Sequence, residues 1–223
     1  MGPSLADIHS ELRGLNIWLT QKGICDVSHF PKKYNSNGLS CLGFENDDRI
    51  RSLLSVNVEY EEAYNKMLEL GAYSFLLLDG AICQLSFCFD GNKLVKHRLG
   101  FFSSPHIDCY QNDPDVYNQE VMFSEVVSKN IVPFPFRFDY DVSLVSDDTH
   151  PLSHLTLGQY KGCRIAVSAP LTPYQFMRFV LVNFYNTYWR SAKDDYPQSA
   201  HRFDETIRSS EVENLHVHLG RLP

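Results

Sequence analysis

The densest concentration of reactive side chains lies in residues 134–168, F-P-F-R-F-D-Y-D-V-S-L-V-S-D-D-T-H-P-L-S-H-L-T-L-G-Q-Y-K-G-C-R-I-A-V-S. It holds Arg137, Asp139, Asp141, His150, His154, Thr156, Lys161 and Arg164 among apolar, strand-forming neighbours. Acids, imidazoles and fixed cations on adjoining rigid strands are the groups that bind a phosphate, move its protons and offset its charge. A second histidine pair, His216 and His218, stands in H-V-H-L-G further along.

On a strand, residues i and i+2 share a face. His154 and Thr156 of H-L-T-L therefore point one way, and Leu155 and Leu157 point toward a core. A hydroxyl beside an imidazole can hold a phosphate oxygen while the ring transfers a proton. His216 and His218 read the same way, with Val217 and Leu219 inward. Two such strands side by side present two imidazoles to one phosphodiester. One deprotonates a 2′-hydroxyl and the other protonates the leaving oxygen, and an ordinary histidine pKa near ~6.5 suits both roles. The repeated H-h-T/S-h pattern, with h apolar, resembles the two-histidine phosphoesterases. It departs from them in its second copy, where His218 replaces Thr or Ser and lies near the end of the sequence, where that fold continues.

Asp139 and Asp141 also share a strand face, with Tyr140 opposite. Carboxylates at i and i+2 are one way to hold Mg²⁺ for phosphoryl transfer, with Asp147 or Asp148 as a third ligand. The cofactor expectation is therefore Mg²⁺ or none. D-x-D also serves as turn chemistry at strand ends, and pairing with Arg137 would make the cluster a buried ion network. In H-P-L-S-H, Pro151 stiffens the approach of His150 to the strand carrying His154, and Ser153 can orient either ring. Lys161 and Arg164 bracket a turn, where Arg164 suits bidentate phosphate contact or a surface ion pair.

These groups need a scaffold. Leu5, Ile8, Leu12, Leu15 and Trp18 recur at helical spacing and Gly23 stops them, which predicts an opening helix. Residues 25–57 read as loop with short elements, so 1–57 is expected as a helical and loop N-terminal subregion of a single 1–223 domain. A second helix is predicted over 58–71, ending at Gly71. Two Asp-Gly pairs, 79–80 and 90–91, punctuate 73–102 into a three-stranded antiparallel meander. A helix over 116–129 follows, then strands at 133–144, 153–158 and 163–168. Thr172-Pro173 caps a long helix near 173–190 that looks apolar nearly all round. A charged helix near 204–213 and a strand near 215–219 close the chain. Helices on a mostly antiparallel sheet make an α+β fold.

The chain has 223 residues, 43% hydrophobic and 21% charged, the balance of an ordinary globular domain. No apolar run is long enough to span a bilayer, and the opening M-G-P-S-L-A-D-I-H-S-E-L has no basic-then-apolar leader pattern or lipidation signal. No membrane role is expected. A net charge of −7 argues against broad nucleic-acid binding, although the residues after 150 are mildly basic and could accept an anion locally. The six cysteines form no C-x-x-C, so reduced thiols in a cytoplasmic protein are expected and a zinc site is not. Phosphate-binding glycine loops and the G-x-S-x-G elbow are absent from the sequence.

The segment 77–105, L-L-D-G-A-I-C-Q-L-S-F-C-F-D-G-N-K-L-V-K-H-R-L-G-F-F-S-S-P, followed by F-R-F-D-Y-D, H-P-L-S-H-L-T-L-G, C-R-I-A-V-S and P-L-T-P-Y-Q-F, resembles a bacterial family known only as a domain of unknown function. The resemblance runs from about residue 50 onward, with Ala166 where proline is expected. It implies no established activity. It does imply association with mobile and defence islands, and so a phage-defence or toxin–antitoxin role. The R-F-D-Y-D … H-P … H order is also similar to small bacterial toxins with R-Y-D-N … H-H-x-H. Three functions fit the residues. One is an RNase or nucleotide phosphodiesterase using His154 with His150 or His216, in which Asp139 and Asp141 orient an imidazole or bind a metal and Thr156, Lys161, Arg164, His218 and Arg137 bind substrate. Another is a non-catalytic subunit of a multi-component defence or toxin–antitoxin complex, with a partner encoded nearby. The last is a nucleotide or small-molecule sensor that uses the same pocket without cleaving its ligand.

Overall fold

Ser4 starts the first helix, α1 (Leu5–Gln21), by reciprocal capping with Asp7. In the computed structural model, which describes residues 2–44, 58–106, 134–144, 150–160 and 162–220, that helix ends ahead of Gly23, whose φ of 63° few other residues tolerate. Three short strands follow: β1 (Cys25–Ser28), β2 (Lys32–Ser36) and β3 (Leu39–Gly43). Helix α2 (Tyr60–Glu69) precedes the meander of β4 (Phe75–Leu77), β5 (Ile82–Asp90) and β6 (Lys93–Phe102). Then come β7 (Phe136–Asp141), β8 (Ser153–Leu157) and β9 (Ile165–Ala166). Helices α3 (Pro173–Phe184), α4 (Asn186–Ala192) and α5 (Ser209–Val212) complete the described elements.

All nine strands among the described residues join one sheet, and β5 organises it. Along one edge β5 pairs with β4 at its start and with β3 near its end; along the other it pairs with β6. The order then runs β6-β7-β8-β9, antiparallel throughout. The result is the α+β fold expected from the alternating patterns.

The two faces of the sheet are covered differently. The inner face carries Leu85, Phe87, Leu99, Phe101, Phe136, Phe138 and Leu155 in one core with α1, α3 and α4. Phe136 and Phe138 of β7 pack edge-on against Phe179 of α3. Each such buried ring contributes about 2 kcal/mol through lost apolar exposure. These residues alternate with Arg137, Asp139 and Asp141, so a one-residue slip of β7 would drive three charged groups into the core; burial therefore pins the register. On the outer face α2 forms a smaller core of Tyr64, Met67, Ile82 and Phe102 over β5 and β6. That helix covers only part of the face, and the strands beyond it are left as the floor of a cleft.

Several expectations change. The short elements expected in 25–57 include three strands of the sheet, β1–β3, which occupy most of residues 25–43. The long helix at 173–190 is broken at Tyr185 (φ −137°, ψ 47°), because the buried Tyr185 hydroxyl donates to Asp79 Oδ2 at 2.8 Å. It is apolar on one face only: Phe176, Met177, Val180 and Leu181 are buried while Arg178 and Asn183 are exposed. The C-terminal helix shrinks to Ser209–Val212, and the last strand to a single parallel bridge of Val217 to Val167. The expected reduced state does not hold for Cys41 and Cys88, which register places opposite one another on β3 and β5 and which form a disulfide. Cys25, Cys83 and Cys163 are free thiols. Cys109 and the helix expected at 116–129 lie outside the described residues.

Candidate functional site

Strand pairing across β6, β7 and β8 sets three rows of side chains on the outer face. Lys96 stands opposite Asp141; Arg98, Asp139 and His154 form the middle row; Gly100, Arg137 and Thr156 form the third. The rows floor a cleft of about 580 Å³. One wall is the start of α2, with Glu59 and Tyr60; the other is the segment after β8, with Gly158, Gln159, Tyr160 and Arg164. Gln159 Nε2 donates to the Val58 carbonyl at 3.1 Å and ties the walls together.

Asp139 is the hub. Its Oδ1 accepts from Arg98 Nε at 3.2 Å, and its Oδ2 lies 3.4 Å from Arg137 Nε and 3.9 Å from His154 Nε2. The Asp139 side chain is 14% exposed and those of Arg98 and Arg137 are 23% and 26%, so water screens this network poorly. Burial opposes ionisation of Asp139, but Arg137, Arg98, His154 and His97 together outweigh it and hold the carboxyl below its usual range. Lys96 Nζ donates to Asp141 Oδ2 at 2.5 Å, while the Ser143 amide and hydroxyl donate to Oδ1.

His154 is positioned by its own loop. Its Nδ1 lies 3.0 Å from the Pro151 carbonyl, which can only accept, so Nδ1 carries the proton. That leaves the Nε2 lone pair facing Asp139 and the cleft. Burial lowers the His154 pKa more than Asp139 and the Pro151 hydrogen bond raise it, which favours the neutral ring. The His150 ring stands edge-on to it with centroids 5.0 Å apart. Its pKa is lowered too, first by partial burial and then by Arg164. His97, between Lys96 and Arg98 on β6, points the other way. It is 2% exposed, burial lowers its pKa to about 4, and its Nε2 accepts from the Leu171 amide.

Of the residues singled out in the sequence, Arg137, Asp139, Asp141, His150, His154, Thr156 and Arg164 all line the cleft. Lys161, Asp147 and Asp148 lie outside the described residues. His216 and His218 do not line the cleft, which corrects the expectation that His216 partners His154 and His218 binds substrate there. The bridge at Val217 sets them beyond β9, where His216 Nδ1 lies 3.0 Å from the Asn214 carbonyl. Ser153 orients neither histidine ring; its hydroxyl pairs with Thr206 on the inner side. Asp139 and Asp141 do share a face, but the Mg²⁺ expectation finds their oxygens engaged by Arg98, Arg137, Lys96 and Ser143. Among the described residues no group of three His, Cys, Asp or Glu is placed to hold a metal ion.

Sequence reasoning missed Lys96 and Arg98, two of the cleft's cations. The signal was present in K-H-R-L-G, where cations alternate with the inward His97 and Leu99. It also missed Tyr60, Gln159 and Tyr160, whose proximity depends on α2 crossing the sheet.

No helix among the described residues is long and apolar enough to cross a membrane. No curated protein and no solved structure matches the chain. Residues 24–219 match the family described as Uncharacterized conserved protein (DUF2290), a span that begins well before residue 50 and takes in β1–β3. The chain belongs to that family.

Proposed function

We propose that the cleft cleaves a phosphodiester bond beside a free hydroxyl, as in RNA, by histidine acid–base chemistry. The observation that carries this reading is the His154–His150 pair, 5.0 Å between ring centroids, above a floor that also presents Lys96, Arg98, Arg137 and Thr156. His154 Nε2 takes the proton of the 2′-hydroxyl as its oxygen bonds to phosphorus. The bond from phosphorus to the 5′-oxygen breaks, and the imidazolium of His150 protonates that oxygen. The products are a 2′,3′-cyclic phosphate and a free 5′-hydroxyl. Arg137 and Arg164 offset the charge that builds on the equatorial phosphate oxygens, and Thr156 donates to one of them. A phosphate dianion or monoanion bound beside His150 raises its pKa and so loads the acid. The resemblance noted above sets this activity in a bacterial toxin or phage-defence system, acting on RNA or a nucleotide in the cytoplasm.

The test is incubation of the pure chain with oligoribonucleotides, followed by end-group analysis of the products. Cyclic phosphate ends that persist when divalent cations are chelated support the reading; intact RNA, or 5′-phosphate ends, contradict it. A second reading is a non-catalytic subunit of a multi-component defence or toxin–antitoxin complex. It is favoured by the internal pairing of both carboxylates, which leaves the cleft complete without substrate. That reading predicts a stable complex with a neighbouring gene product and no turnover by the isolated chain.

A further inference from the structure

We infer that Tyr160 and Phe134 form a stacking platform for an unpaired nucleobase at the rim of the cleft, which makes single-stranded RNA the substrate class. This rests on the reading of the cleft as a phosphodiester site. Most aromatic rings among the described residues are buried, but Tyr160 is 70% exposed and Phe134 47% exposed. Their place is set by Gly158. Its amide donates to the Pro135 carbonyl at 2.7 Å, and it adopts a φ of 59°. A Cβ there would stand 3.1 Å from Phe134 Cε2 and 3.4 Å from Tyr160 Cδ2. Glycine thus allows both rings to close over one turn, and the Gln159 bond to Val58 anchors that turn to the opposite wall.

Two exposed rings hold their apolar faces in water at a cost; here Tyr160 lines the cleft with Arg164, Arg137 and the two histidines, and Phe134 lies next to it across Gly158. Aromatic faces next to a cationic groove are the combination that binds single strands, because every base offers a π-face and every linkage a charge. A base within a duplex already has both faces stacked on its neighbours and cannot use the platform. The phosphate beside a base stacked on Tyr160 then falls within the cleft, since Tyr160 and His154 line the same cavity.

The experiment measures anisotropy of a labelled short oligoribonucleotide, and of an abasic oligomer of equal length, with the His154→Ala protein so that no cleavage intervenes. The base-bearing oligomer is expected to bind more tightly than the abasic one. Tyr160→Ala, added to that protein, should weaken the base-bearing oligomer by about 5- to 150-fold, leave the abasic oligomer unchanged, and be rescued by Tyr160→Phe. Equal binding of both oligomers, or an unchanged affinity in Tyr160→Ala, overturns the platform while the cleft reading survives. If neither oligomer binds, the cleft reading is overturned and the platform with it. Tyr160 is solvent-exposed, so its replacement does not test folding instead.

Discussion

Replacing Asp139 by Asn removes one charge, keeps the shape, and isolates what the hub residue does. Its carboxylate lies 3.2 Å from Arg98 Nε and 3.4 Å from Arg137 Nε. Each attraction is about 5 kcal/mol at the effective dielectric of ~20 that suits such sites, and desolvation of all three groups offsets most of it. Removing one member of a buried pair costs about 3–5 kcal/mol, because the partner charge stays behind. The two guanidinium groups keep roughly a quarter of their exposure, which places Asp139→Asn near the lower limit, about 3 kcal/mol. For a chain of this size that is a Tm fall of about 6–12 °C. Asp139 is held below the ordinary carboxylate range, so its contribution is fully present above ~3.9 and is lost only as pH falls through the lower, folded value. The gap between wild type and variant in urea unfolding should therefore stay constant from pH 5 to 8 (an order-of-magnitude window) and close only in strong acid. Inorganic phosphate should stabilise the variant more than wild type, the variant gaining about 2.7 kcal/mol at a hundredfold excess over its own Kd, because both arginines are then available to it. A loss below about 1 kcal/mol, the value of an exposed pair, would refute the hub.

Further expectations follow from the same geometry. Because burial lowers the pKa of both His154 and His150, kcat/KM for RNA cleavage should be bell-shaped with its optimum below the ordinary histidine value of ~6.5; an alkaline optimum contradicts the pair. Arg164→Ala removes a cation that depresses His150, so the basic limb of that profile should move to higher pH while substrate binding weakens. In Gly100→Ala the new Cβ would stand 2.6 Å from Phe102 Cε2 and 3.5 Å from Arg137 Cγ. Phe102 is packed under α2 and cannot swing away, so roughly 1–3 kcal/mol of stability should be lost, read by thermal unfolding. His216→Ala lies off the cleft and should leave kcat/KM within a factor of two or so of wild type.

The site was legible wherever it depended on strand periodicity. Alternation alone set Arg137, Asp139 and Asp141 against Phe136, Phe138 and Tyr140, and set His154 and Thr156 against Leu155 and Leu157. It could not reveal which strands are neighbours. Spacing alone therefore pairs His216 with His154, although a bridge beyond β9 carries it away, and does not set Lys96 and Arg98 apart from the rest of the meander. The disulfide of Cys41 and Cys88 depends on a pairing between residues 47 apart in sequence, which no local pattern encodes. The helix broken at Tyr185 has the same origin: the apolar spacing continues, but a hydrogen bond to Asp79, far away in sequence, overrides it. The cleft walls need α2 laid across the outer face, and nothing in 58–71 except its amphipathic spacing hints at that.

The most direct test of the histidine mechanism is the single-turnover cleavage rate of a short single-stranded RNA by wild type and by His154→Ala, with thermal unfolding of both recorded. General acid–base catalysis of this kind predicts a loss of about 10²- to 10⁴-fold in the variant, with its cleft and fold retained. A variant that folds and cleaves at the wild-type rate would contradict the account.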